Sequence, residues 1–212
     1  MKCNQCPDSC QNKSQTSNSF WQNLWRKPLK MKSPEVISEG TIALVGSPNV
    51  GKSLLFNVLT GGYTTVSNYP GTTVEASRNY IKIASKTITI IDTPGMYSLI
   101  PMTEEERFSR ELLFREPLDL VVHVIDAKSL SRMLNLTFQL METQVPILVA
   151  VNMIDEAEKL GIWVNEKQLE ASLGIPVVTL SAAQQRGIKS LTAKMANYVH
   201  IPALSYLSLI HI

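Results

Sequence analysis

Eight residues, Gly46-Ser47-Pro48-Asn49-Val50-Gly51-Lys52-Ser53, constrain this chain more than any others. They fit G-x-x-x-x-G-K-[ST], a loop whose backbone N–H groups can turn inward onto phosphate oxygens. That mechanism demands a strand before the loop and a helix after it. The β-branched run at residues 41–45 supplies the strand. Residues 52–59 read as the helix, closed by Gly61 and Gly62. The glycines permit the tight path, and the helix adds its positive N-terminal end. Lys52 is expected to neutralise the β- and γ-phosphates, and the Ser53 hydroxyl to ligate Mg²⁺. Gly46 through Leu54 is therefore the expected phosphate-binding segment. A chance glycine turn would lack the strand and helix on either side.

The same alternation continues to about residue 198. Strands are predicted at 79–84, 87–91, 118–125, 146–151 and 177–180. Helices are predicted at 103–114, 131–141 and 188–198. Strand alternating with helix implies an α/β fold: a P-loop NTPase G domain with a mainly parallel sheet and helices on both faces.

Three further segments fall at strand ends. Asp92-Thr93-Pro94-Gly95 follows the strand at 87–91. Asp92 is expected to hold Mg²⁺ through water, and the Gly95 N–H to bind the γ-phosphate. D-x-x-G alone is a common turn composition, and its place downstream of the P-loop gives it meaning. Asn152-Met153-Ile154-Asp155 follows the strand at 146–151. The Asp155 carboxylate can accept two hydrogen bonds from the N1–H and N2–H₂ edge of guanine, which adenine lacks, so GTP is favoured over ATP. G proteins usually carry N-K-x-D; Met153 replaces the lysine. Ser181-Ala182-Ala183 matches the loop that supports the guanine carbonyl. Between the first helix and the strand at 79–84 lies Asn68-Tyr69-Pro70-Gly71-Thr72-Thr73-Val74-Glu75, the position of switch I. A threonine here closes on Mg²⁺ and the γ-phosphate. Thr73 is assigned that role, with Thr72 its neighbour.

These pieces occur in the order found in one family. NYPGTTVE, the methionine in NMID and the stretch VIDAKSLSRMLNLTFQLME resemble the ferrous iron transport protein B (FeoB) family over about residues 40–200. That family usually has D-L-P-G, and Thr93 departs mildly from it. The resemblance implies a cytosolic G domain on the cytoplasmic face of the inner membrane. A small helical domain and a polytopic membrane domain that moves Fe²⁺ would follow it. The implied partners are GTP and GDP, that membrane-embedded remainder of the same polypeptide, and small iron-transport accessory proteins.

The catalytic set is expected to be Lys52, Thr73 and Asn49. Many GTPases place a Gln after D-x-x-G to orient the attacking water. Met96 stands there instead, so slow intrinsic turnover is expected. Asn49, fourth in the P-loop, could supply an oxygen to a bound K⁺ that offsets developing charge. Cation-activated GTPases share an Asn in this slot. The alternative is that Asn49 only shapes the loop. Two other function classes stay open: a non-catalytic guanine-nucleotide switch, and a GTPase acting on tRNA modification or ribosome assembly. The latter predicts a strongly basic face. The net charge of +2 gives no such sign, and no nucleic-acid partner is expected.

No apolar run reaches the roughly 18 residues that span a bilayer. Residues 1–39 read as a disordered linker, polar over 1–19. Within it, FWQNLWRKPLKMK at 20–32 has the pattern of an interfacial helix on anionic lipid. Cys3, Cys6 and Cys10 are one ligand short of a closed structural Zn site, and reduced thiols are expected. His123, inside an apolar strand, is expected to pack in the core. LSLIHI at 207–212 has no cap and no periodic partner. It resembles a translated transposon end from library preparation. Residues 201–212 are thus expected to be an artefactual tail, with the natural protein continuing beyond Ser205.

Overall fold

The computed structural model describes residues 38–62, 65–68, 75–83 and 85–198. The expectations for residues 1–37, for Gly71, Thr72, Thr73 and Val74, and for 201–212 lie outside them.

Among the described residues seven strands form one sheet, β1 (Thr41–Val45), β2 (Thr65–Asn68), β3 (Glu75–Ile83), β4 (Lys86–Asp92), β5 (Leu120–Asp126), β6 (Ile147–Asn152) and β7 (Val177–Thr179). Their order is β2-β3-β4-β1-β5-β6-β7. The strands from β4 to β7 across β1 run parallel, while β3 is antiparallel to both β4 and β2. The helices are α1 (Lys52–Thr60), α2 (Glu104–Arg115), α3 (Leu130–Met141), α4 (Ile154–Lys159), α5 (Glu166–Leu173) and α6 (Ile188–Ala196).

The central strands are apolar along their whole length because both faces are covered. In β1, Ile42 and Leu44 enter a core shared with Leu55 and Phe56 of α1 and Leu191 and Met195 of α6. Ala43 and Val45 point the other way, toward Phe108 and Leu112 of α2 and Leu136 and Leu140 of α3. This two-sided burial leaves the carboxyl ends of β1, β4, β5 and β6 as the place where loops can gather polar groups.

The mainly parallel α/β sheet matches the expectation. Short β2, helix α4 and helix α5 were not anticipated. The helix α5 was legible, since Asn165 caps it by accepting from Gln168 N at 3.1 Å and Gly174 ends it in the left-handed region. The segment at β2 is four residues of mixed polarity. It pairs at the sheet edge, and no period of two marks it. His123 is 1% exposed, with Nδ1 3.0 Å from the Thr137 hydroxyl. Burial holds its imidazole neutral, at a pKa of about 3. Among the described residues no helix is long and apolar enough to cross a membrane.

Candidate functional site

The P-loop leaves β1 through Gly46, which approaches the Val124 carbonyl so closely that a Cβ would lie 2.2 Å from that oxygen. The loop ends at Gly51, in the left-handed region (φ 84°), which enters α1 with no side-chain cap. The first N–H groups of α1 are thereby left to an external acceptor. Lys52 is 7% exposed and donates to the Ser47 carbonyl at 3.0 Å. Burial lowers the pKa of its ammonium, and the Asp92 carboxylate partly restores it.

Beside this loop, β4 delivers Asp92. Burial raises the carboxyl pKa, opposed by hydrogen bonding to Ser53 and by the Lys52 charge. Its Oδ1 is buried without a hydrogen-bond partner among the described residues. An uncompensated buried carboxylate oxygen is costly and suits a cation or a cation-bound water. Ser53 sits exposed on the first turn of α1, so an oxygen donor set for Mg²⁺ fits here. Asp92, Ser53, Lys52, Asn49 and Gly95 line one cleft of about 670 Å³.

Thr93 is pinned to β1. Its hydroxyl donates to the Leu44 carbonyl of β1 at 2.8 Å, and its N–H reaches the same oxygen at 3.3 Å. Gly95 then passes against the P-loop, where a Cβ would lie 2.6 Å from Pro48 Cγ and 2.8 Å from Pro48 N. Gly95→Ala must therefore push the Asp92–Gly95 turn and the P-loop apart. We expect at least a tenfold loss of triphosphate affinity, a cost of about 1.4 kcal/mol or more, with a smaller loss for the diphosphate. Titration with both nucleotides checks this, and equal affinities in variant and parent would contradict it.

Met96 is fully buried in the core between β1 and α2. It therefore points away from the cleft, and no side chain at the usual Gln position reaches it. The α2 helix is tied to the same loop. Thr103 caps it by accepting from Glu106 N at 3.2 Å. The Glu106 carboxylate accepts from Met102 N at 2.8 Å and Tyr97 N at 3.0 Å, and these bonds hold its pKa below the usual range. Ser109 donates to the Pro94 carbonyl at 3.0 Å, and Gln139 of α3 accepts from Leu99 N at 2.7 Å.

The second half of the site gathers on Asn152. Its amide donates to the Val50 carbonyl at 2.9 Å and its carbonyl accepts from Ala182 N at 3.0 Å. One 2%-exposed side chain thus joins three loops. Met153 takes the left-handed conformation (φ 62°) at the start of α4. Its methyl lies 3.7 Å from where a Gly51 Cβ would stand. Asp155 follows on the first turn of α4, and a hydrogen bond from Ser181 lowers its pKa.

The structure thus brings together Gly46–Ser53, Asp92–Gly95, Asn152–Asp155 and Ser181–Ala183. Within those stretches Val50 and Ile154 are core residues, and Leu54, just after the first of them, is 46% exposed on α1. Glu75 opens β3. Sequence reasoning missed Glu106, Ser109, Gln139 and the Asn152 strut. Only Glu106 carried a signal, the T-x-x-E capping box at Thr103.

The chain spans about a fifth of the length of the curated relatives it matches. It is 39% identical over 162 residues to the Fe(2+) transporter FeoB of Escherichia coli K12, covering 74% of this chain and 21% of that protein. The solved FeoB G-domain of Methanococcus jannaschii superposes with a TM-score of 0.67 at 40% identity, covering 76% of this chain and 97% of that one. The cytosolic domain of the T. maritima FeoB iron transporter, in a GDP form, gives a TM-score of 0.72 at 37% identity, covering 76% and 64%. A family model, ferrous iron transport protein B, matches residues 40–195. With its P-loop, its D-x-P-G turn and its NMID helix held in one arrangement, the chain belongs to the ferrous iron transport protein B family.

Proposed function

We propose that this chain binds GTP and hydrolyses it slowly, as the nucleotide-binding part of a ferrous-iron membrane transporter. The observation that carries this reading is the shared cleft of Lys52, Asp92 and Gly95, braced through Asn152 to the helix bearing Asp155. Lys52 and the α1 N-terminus would take the β- and γ-phosphates, the Gly95 N–H the γ-phosphate, and Asp155 the guanine edge. Ser53, Asp92 and Thr73 would hold Mg²⁺, which when bound neutralises charge on the phosphate oxygens. Water attacks the γ-phosphorus, the bond to the β–γ bridging oxygen breaks, and GDP and phosphate leave. The membrane-embedded remainder of the polypeptide and small iron-transport accessory proteins are the proposed partners.

Met96 faces the core, so charge stabilisation must come from elsewhere. Asn49 is exposed on the P-loop and lines the phosphate cleft. We assign its side-chain oxygen to a K⁺ ion. Its φ of 63° gives a second account, because Asn tolerates the left-handed region better than most residues. Phosphate release from GTP in KCl and in NaCl at equal ionic strength decides between them. The K⁺ assignment expects at least a tenfold advantage in KCl, a fraction of the roughly 10³–10⁵ that an arginine finger supplies. It also expects Asn49→Ala to erase that advantage. A rate indifferent to the cation sinks the K⁺ assignment and leaves GTP binding standing.

A further inference from the structure

The antiparallel ladder of β3 and β4 sets Ser77 directly opposite Asp92. Residues so opposed send their side chains to the same face of a sheet, with Cβ atoms about 4.5–5.5 Å apart. That face is the phosphate cleft, which both residues line beside Lys52 and Ser53. Asp92 Oδ1 is nevertheless buried without a hydrogen-bond donor among the described residues, so the Ser77 hydroxyl does not reach it. Ser77 and Asp92 each bring side-chain oxygen to this cleft, and two such groups that do not bond to each other suit a single molecule that donates twice. A water on a hard cation has both protons free to donate. Mg²⁺ characteristically keeps several waters and uses only one or two carboxylates of the protein.

We propose that Ser77 is a positioning residue for the metal site, which rests on the nucleotide and Mg²⁺ reading above. The Ser77 Oγ accepts one proton of a metal-bound water and the Asp92 carboxylate accepts the other. The pair fixes the water's orientation and with it the cation. Outer-sphere partners of this kind typically alter metal affinity about 10–100-fold when removed. Half-exposed Ser77 belongs at the low end. No motif marks this position in the sequence, since its role comes from strand register rather than from spacing.

Release of a fluorescent GDP analogue from the full chain, measured as Mg²⁺ is titrated, gives a readout independent of turnover. Ser77→Ala is expected to raise the Mg²⁺ concentration at half-effect about tenfold, while release without Mg²⁺ stays at the wild-type rate. Ser77→Thr, which keeps the hydroxyl, should return the midpoint to the wild-type range. Mn²⁺ bound to the GDP complex, followed by its paramagnetic resonance, should show the same order of affinities. An Ala variant with the wild-type midpoint overturns the proposal. So does one whose Mg²⁺-free release quickens as much as its Mg²⁺-bound release, since that reports loosened packing. Wild-type protein that binds GDP but ignores Mg²⁺ defeats the underlying metal reading, and is recognisable before any variant is made.

Discussion

Asp155→Asn is expected to abolish the preference for GTP over ATP. In the proposed site the carboxylate would accept from both the N1–H and N2–H₂ groups of guanine; an amide could offer its oxygen to one and would set its own NH₂ against the other. Hydrogen bonds to a charged group contribute about 1.5–3 kcal/mol each, so about 3–6 kcal/mol is at stake, roughly 10²–10⁴ in affinity. The hydrogen bond from Ser181, which keeps Asp155 ionised below the usual carboxylate pKa, is weakened as well. Competition of GTP and ATP for a bound fluorescent nucleotide measures the change. A variant that keeps the parental GTP affinity would contradict the guanine assignment.

Asn152→Ala should have the second largest effect, on stability and on binding together. The truncation leaves the Val50 carbonyl and the Ala182 N–H, both in the interior, without the side chain they share. Each abandoned buried group costs about 1–3 kcal/mol, so the sum is about 2–6 kcal/mol. For a domain of this size that lowers the melting temperature by roughly 5–20 °C. Nucleotide release should quicken too, because Val50 belongs to the phosphate loop and Ala182 to the loop after β7. Thermal melts with and without GDP check both effects. An unchanged melting temperature would mean that the strut carries no energy.

Much of this site was legible in the sequence because its chemistry is local. The phosphate loop needs consecutive backbone N–H groups, so Gly46 to Ser53 must be contiguous and must join a strand to a helix. Asp92 and Asp155 are each read from a four-residue turn at a strand end. Apolar runs marked β5 and β6 because both faces are covered. What spacing could not show is what tertiary contact decides. Asn152 reads in the sequence as a nucleotide-contacting motif residue, yet its side chain is consumed in bracing two other loops. Thr93 looks like a mild departure from leucine, yet its hydroxyl pins the turn to β1. Met96 could be read as a missing hydrogen-bonding group, and its burial adds that the side chain does not face the cleft. Ser77 has no sequence signal, since only the β3–β4 register sets it against Asp92. The edge strand β2 was missed for a related reason: four residues of mixed polarity pair at the sheet edge without an alternating pattern.

Binding and cleavage of GTP in this cleft is the function proposed above. Its most direct test is single-turnover release of inorganic phosphate from GTP and from ATP by the purified chain, with Mg²⁺ and K⁺ present. Slow, complete conversion of bound GTP to GDP is expected, with loss of that conversion in Lys52→Ala and no measurable reaction with ATP at equal concentration. GTP that binds and is recovered intact after many hours would leave a nucleotide switch without catalysis. Equal conversion of ATP would contradict the assignment of Asp155.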